Sequence, residues 1–468
     1  MLTLVLAGLL APAQITTPVV PILQPGPQVQ VPLRPVRDLS GQVIGSEEDL
    51  DVALGGSFSA PFGPNITAVP TGDPRIWDLT FHRMGSGWEE SVLIGIPTSH
   101  ANPAPLLVAF HSYGHTPADI LQNTTYFDEA LNRGWFVVAP LGAHKFHFNV
   151  DYALENIRDV LDWFATIKPV DPDRIYGVGF SMGGGTALTY AARNLDPGHA
   201  RFAAVVNHTG AASIRGVFDN SIDTSLLENP QMFGGTPTDF PNAYAAASTV
   251  DIDFVTARVN PSNDLARNLT HTSVTHWAVA GDPIGYLVDQ VRIVHGQLYG
   301  RGTQSRMIIG IGNQHDWSTL NETAVLDLLA TKQYANPEVG KVHRTLVTNN
   351  GFWFHFQVRQ HTPGEFTPLR WFVDTPTNRL FVDRARNLKS IGFRPGSLGL
   401  DPAADLEVVV ANTDGQSLEL IVEGYALPPA SVRRNGSSAA NWTWDANAHT
   451  VTLYEASASG YPSWTIER

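Results

Sequence analysis

Two hydrophobic periods run along the chain, and the change from one to the other divides it. From Arg75, "RIWDLTFHR" and "EESVLIGIP" put apolar residues at alternate positions, which predicts paired, half-buried strands. "PLLVAFHSYG" is an unbroken apolar run ending in turn residues, as in a strand buried on both faces. Helix and strand signals then alternate. "ADILQNTTYFDEALNRG" predicts a helix closing on Gly134, and "WFVVAPLG" predicts a strand. "DYALENIRDVLDWFATIK" sets Leu154, Ile157, Leu161 and Phe164 on one helical stripe. The strand "RIYGVGF" leads into a helix after Ser181. "FAAVVNHTG", an irregular stretch over 211–268, the strand "SVTHWAVAG", a helix near "LVDQVRIVHGQLYG", the strand "SRMIIGIG" and the helix "ETAVLDLLATK" follow. This alternation predicts an α/β domain over 75–340, a mostly parallel sheet with helices on both faces.

Beyond about Gly340 the helical period disappears. "GFWFHFQVRQ", "LEVVVAN", "SLELIVEGY" and "TVTLYEA" alternate between Gly, Asn and Pro turns, which predicts an all-β, sandwich-like accessory domain over 341–468. Its Phe352, Trp353, Phe354, Trp371, Trp442 and Trp444 read either as core or as a sugar-stacking face, and core is the commoner use of such residues. Residues 14–74 are rich in Pro, Val and Gly, the composition of a linker or small β extension. The first thirteen residues form an apolar run ending in Ala11-Pro12-Ala13, the small-x-small form of a signal-peptidase site, although no basic segment precedes it. A secreted or periplasmic location is the expectation. No later segment is long and apolar enough to predict a membrane helix.

Composition narrows the chemistry. A formal net charge of −14 with no basic stripe argues against a nucleic-acid partner. The absence of cysteine removes disulfides, thiolate metal sites and a cysteine nucleophile together.

The motif that carries chemistry is Gly179-Phe180-Ser181-Met182-Gly183, G-x-S-x-G, placed where a predicted strand meets a predicted helix. A very tight turn there lifts a serine hydroxyl above the sheet, and the flanking glycines let strand and helix approach. Other glycine motifs fail on spacing: a dinucleotide fingerprint needs glycine at Met182, and a phosphate loop needs lysine at Gly185. A serine on such an elbow calls for two oxyanion donors, a base and an acid. Met182 offers its backbone N–H at the helix start as one oxyanion donor, and Tyr113, in "HSYG" after the first buried strand, offers the other. Ser112 sits on no such turn. The base is expected after the last strand, where "GNQHDW" supplies His315. Other histidines, such as His111, His115, His144 and His147, lack a third ligand at metal-site spacing, so no metal and no cofactor is expected.

"VDPDRIYGVGFSMGGGTALTYAARN", with "HSYG" before it and "GDPIG" and "QHDW" after it, resembles the α/β-hydrolase superfamily, in its esterase, dienelactone-hydrolase and prolyl-oligopeptidase-like branches. The resemblance covers about Arg75 to Lys332 and implies a Ser-His-acid triad acting through an acyl-enzyme. It points to Asp282, which follows "THWAVAG" about 33 residues before His315, as the acid, with Asp289 as the rival. The pair of oxyanion donors resembles that of secreted polyester hydrolases, which carry tryptophan where this chain has Asn207-His208. That departure counts against an aromatic polyester. His208 and Trp317 are the substrate-binding candidates. A secreted carboxylic-ester hydrolase, on a substrate that could be polymeric, is the function so implied. The alternatives are a serine peptidase of the prolyl-oligopeptidase type, for which roughly sixty residues before Arg75 are too few to form the family's propeller, and a non-catalytic binding protein of the same fold.

Overall fold

The computed structural model describes residues 35–37, 43–46, 66–82, 84–254, 256, 258–457 and 460–468. The candidate signal segment lies outside the described residues. Of the Pro-rich segment, Pro35–Arg37 and Val43–Ser46 pair antiparallel.

Nine strands form the main sheet: β1 (Ile66–Pro70), β2 (Ile76–Phe81), β3 (Glu90–Gly95), β4 (Ala104–Phe110), β5 (Phe136–Pro140), β6 (Val170–Phe180), β7 (Ala204–His208), β8 (Ser273–Val279) and β9 (Ser305–Gly310). Their spatial order is β9-β8-β7-β6-β4-β5-β3-β2-β1. From β5 to β9 every neighbouring pair is parallel, and β1, β2 and β3 join antiparallel at one side. The sheet therefore starts at Ile66, inside the Pro-rich segment. Pro70 ends the outermost strand, where a residue without an N–H costs least.

Local sequence explains the rest. All seven residues of β4 are buried, as the unbroken apolar run requires. Helix α1 (Ala118–Asn123) and helix α2 (Tyr126–Asn132) replace the single helix expected there. Thr124 is extended between them, and its hydroxyl donates to the Ile120 carbonyl at 2.6 Å, a local bond that competes with helix continuation. Helix α3 (Asp151–Ile167) buries Leu154, Ile157, Leu161 and Phe164 along its stripe, each contributing about 1.5–3 kcal/mol through burial. Helix α4 (Met182–Arg193) follows β6 directly. The irregular stretch carries three short helices, α5 (Ile214–Asn220), α6 (Ser225–Glu228) and α7 (Pro241–Ala246). Helix α8 (Gly285–Tyr299) follows β8, and α9 (Glu322–Leu329) follows β9.

The chain divides into two compact units. One comprises the described residues up to Ala191, His199–Val259 and Thr272–Tyr334; the other comprises Ala192–Gly198, Asn260–His271 and Ala335–Arg468. The second unit contains a seven-stranded and a six-stranded sheet. Trp353, Phe354 and Trp371 lie in its core, Trp442 and Trp444 pack against that core, and Phe352 is exposed. The six aromatics therefore form no common wet face. His343–Val347 is an edge strand of the larger sheet. Within the unit, the Leu346 N–H donates to Asn268 Oδ1 at 2.8 Å, and Asn268 Nδ2 donates to the Leu346 carbonyl at 2.9 Å. The side-chain amide thus pairs with that edge as a neighbouring strand would.

Candidate active site

Ser181 alone separates β6 from α4, and its φ of 56° is left-handed. For a residue with a Cβ this conformation costs about 1–3 kcal/mol, so the surroundings must hold it. They do so on both sides of the peptide. The Ser181 N–H donates to the His208 carbonyl at 2.9 Å, and the Ser181 carbonyl accepts the Ala211 N–H at 3.0 Å and the Gly185 N–H at 3.2 Å. Two glycines permit the approach. A Cβ on Gly179 would stand 2.2 Å from the Gly183 carbonyl oxygen, and one on Gly183 would stand 2.2 Å from that of Phe110.

The hydroxyl so presented meets two residues from distant loops. Ser181 Oγ lies 3.0 Å from His315 Nε2, and His315 Nδ1 lies 2.9 and 3.1 Å from Asp282 Oδ2 and Oδ1. An ionised carboxylate only accepts, so the Nδ1–H points to Asp282 and Nε2 is left to accept the serine proton. Both partners are nearly sealed from water, with side chains 6% and 1% exposed for His315 and Asp282. Asp282 Oδ1 also accepts the Ile284 N–H at 2.8 Å, which fixes the carboxylate at the turn after β8. Asp289 lies on the exposed face of α8 and pairs with Arg292 at 2.8 Å. Asp316, beside His315 in sequence, accepts the Ser318 N–H at 2.9 Å instead.

Tyr113 and Met182 both line the cavity beside Ser181. Among the described residues no protein acceptor takes up either N–H. The Tyr113 ring packs 5.0 Å from Phe146 and 5.2 Å from Phe148, and the Gly114 N–H donates to the Lys145 carbonyl at 2.9 Å. The loop after β5 therefore sets the position of the Tyr113 loop. That loop in turn is held by Glu90, at the start of β3. Its carboxylate is fully buried and accepts N–H groups from Leu141, Gly142 and Ala143 at 2.7, 2.8 and 2.6 Å, with Asn156 Nδ2 at 3.0 Å. Burial raises the Glu90 pKa from its ordinary 4.5 to about 7, against the pull of these four donors.

The cavity holds about 150 Å³ and is walled by apolar side chains, among them Phe148, Val217, Leu226, Leu227, Ile284 and Leu287. Val217 comes from α5, Leu226 and Leu227 from α6, and Ile284 and Leu287 from the turn before α8 and its first residues. Asp223, an exposed residue, stands among the lining residues.

His208 and Trp317 do not line this cavity. His208 is 2% exposed, and its Nε2 meets Thr319 Oγ1 at 2.7 Å; burial and the nearby His315 lower its pKa to about 3, so the ring is neutral. Trp317 is buried and donates its indole N–H to Asp119 Oδ2 at 2.9 Å. Both are spent inside the protein, behind Phe180, whose ring centroid lies 4.8 Å from that of His208, 5.3 Å from that of Trp317 and 4.4 Å from that of His315. His144 Nε2 pairs with the Tyr152 hydroxyl at 2.7 Å, and burial lowers its pKa to about 4. Among the described residues, no three His, Asp or Glu side chains are grouped as a metal site.

Sequence reasoning did not single out Glu90 or Asp119. Glu90 carried no signal, because its three backbone donors lie some fifty positions away. Asp119 was visible only as an acidic residue in a helix's first turn.

A family model described as alpha/beta hydrolase fold matches residues 106–266. Among solved structures, an S-formylglutathione hydrolase from Agrobacterium tumefaciens is 14% identical over 55% of this chain and 95% of its own, with a TM-score of 0.40. A ferulic acid esterase is 17% identical over 54% and 95%, with a TM-score of 0.40. An esterase from the archaeon Pyrobaculum calidifontis is 20% identical over 55% and 82%, with a TM-score of 0.39. Comparison with curated proteins found no match. No helix among the described residues is long and apolar enough to cross a membrane. The family match falls on the strands and helices that carry Ser181, and the unit built on the nine-stranded sheet has the α/β-hydrolase fold.

Proposed function

We propose that this α/β hydrolase is a serine carboxylic-ester hydrolase. The observation that carries the reading is the continuous hydrogen-bonded series from Ser181 through His315 to Asp282, opening on a cavity with two unengaged N–H groups. His315 Nε2 takes the Ser181 proton as Oγ forms a bond to the acyl carbon, and the former carbonyl oxygen becomes an oxyanion. The N–H groups of Tyr113 and Met182 receive that charge, each donor being worth about 2–4 kcal/mol in the transition state. Collapse of the tetrahedral species breaks the bond to the alcohol, which leaves with the proton from His315. Water, deprotonated by His315, then attacks the acyl carbon; the bond to Oγ breaks, His315 returns the proton to Ser181, and the acid is released. Asp282 holds the imidazole in one tautomer and balances its positive charge.

Size and polarity of the cavity narrow the acyl group. About 150 Å³ walled by apolar side chains suits a short or medium alkyl chain or a single aromatic ring, since a dry cavity of that volume holds benzene. An exported location is the companion proposal, resting on the apolar run that ends at Ala11-Pro12-Ala13.

The test is hydrolysis of p-nitrophenyl acetate, butyrate, hexanoate, decanoate and benzoate, beside a p-nitroanilide, by the wild type and by Ser181→Ala. Turnover of the shorter esters and of the benzoate, lost in Ser181→Ala along with fluorophosphonate labelling, is expected. Preferential cleavage of the anilide would replace the esterase reading by a peptidase one, and absence of Ser181-dependent turnover would overturn both.

A further inference from the structure

We propose that Asp119 is a positioning residue that ties the loop carrying Tyr113 to the loop carrying His315, so that oxyanion donor and base keep one fixed separation.

Asp119 lies in the first turn of α1 and is 6% exposed. Its Oδ2 accepts the Ser112 hydroxyl at 3.2 Å and the Trp317 indole N–H at 2.9 Å. Its Oδ1 accepts Asn123 Nδ2 at 2.8 Å and faces His115 Nδ1 at 3.2 Å. One oxygen thus holds the neighbour of Tyr113 and a residue two positions beyond His315. These loops are far apart in the chain: Trp317 is 198 residues from Asp119. The second oxygen keeps the carboxylate from rotating, because Asn123 belongs to the same helix. Charge-assisted bonds to a buried carboxylate are stronger than neutral ones, and they resist the independent drift of two loops.

The tie reaches the reacting atoms by short routes. On one side, Ser112 fixes the peptide that presents the Tyr113 N–H to the cavity. On the other, the Trp317 ring packs on Phe180, which lies 4.4 Å from the His315 ring and immediately precedes Ser181. Base and oxyanion donor must both lie within about 3 Å of their targets in the same transition state, and a displacement of 1 Å can cost about a hundredfold in rate. A carboxylate that joins both loops therefore acts on kcat rather than on substrate affinity.

This inference rests on the esterase reading, and the experiment separates the two. Wild type, Ser181→Ala, Asp119→Ala and Asp119→Asn are assayed on p-nitrophenyl butyrate, with circular-dichroism melts for each. Asp119→Ala is expected to lower kcat by about tenfold or more with KM within about twofold. Asp119→Asn should recover much of that loss: its amide oxygen still receives Ser112 and Trp317, and its amide nitrogen can donate to a flipped Asn123. Should Asp119→Ala fail to fold, Trp317→Phe and Ser112→Ala each remove one strand of the tie. Each should lower kcat, and the double variant should fall less than the product of the two, because both act through one carboxylate. Ser181-dependent turnover that is unchanged in folded Asp119→Ala, or in Trp317→Phe where Asp119→Ala does not fold, overturns the positioning role alone. A loss confined to KM does the same. No Ser181-dependent turnover in the wild type overturns the esterase reading instead.

Discussion

Replacing Glu90 by Gln should change how stability depends on pH, in a direction set by burial. The Glu90 pKa is raised from 4.5 to about 7 in the folded protein, because loss of hydration outweighs the four donors that favour the charged form. A raised folded pKa means that the native state binds the proton more tightly than the unfolded chain. Stability from this group is therefore fully present below pH 4.5 and is lost as pH rises through about 7. The difference between the two pKa values corresponds to about 3 kcal/mol of stability lost on going from acid to pH 8. Glutamine cannot titrate, so Glu90→Gln removes this slope. It also turns an amide NH₂ towards one of the backbone donors, a cost of about 1–3 kcal/mol that is independent of pH. The variant should then be the less stable protein at pH 5 and should close the gap, or cross, by pH 8. Urea unfolding of both proteins at pH 5, 6, 7 and 8, followed by tryptophan fluorescence, measures the difference. Parallel curves would refute the reasoning and would mean that Glu90 is ionised in both states throughout, with its donors matching the lost hydration.

Asp282→Asn should lower kcat by about four orders of magnitude with the fold retained, because a carboxamide favours the wrong imidazole tautomer, whereas Asp289→Asn on the exposed face of α8 should stay near wild type; steady-state kinetics of both variants check this. Gly183→Ala puts a Cβ 2.2 Å from the Phe110 carbonyl oxygen, a backbone atom that cannot turn aside, so the variant should either fail to accumulate as soluble protein or melt well below the wild type in a thermal scan.

Much of this fold was legible because its information is local. The strand-to-helix change around Ser181, the glycines that the close approach requires and the apolar run of β4 all lie within a few residues of the feature they determine. Two expectations failed, each for its own reason. The helix expected to run to Gly134 breaks at Thr124, where a hydroxyl bonds its own backbone, an effect no apolar period reveals. The two substrate-binding candidates turned out to be buried, because position next to an active residue in sequence does not say which way a ring points. His208 and Trp317 face inward, towards Thr319 and Asp119. Glu90 and Asp119 were hidden for a complementary reason. Each gains its meaning from partners roughly 50 to 200 positions away, and a single sequence carries no trace of such pairings.

The amide of Asn268, seated against the edge strand His343–Val347, bears on how this protein is made and how it could be rearranged. The β unit takes in Ala192–Gly198 and Asn260–His271 as well as Ala335–Arg468. A ribosome delivers the first two segments well before the strands they complete, so the unit closes only after those strands have emerged, however early its first residues appear. Nor does it behave as a cassette. Residues 335–468 moved to another enzyme would arrive without Leu195, which is buried in their core, and with the backbone of His343–Val347 open to any passing strand.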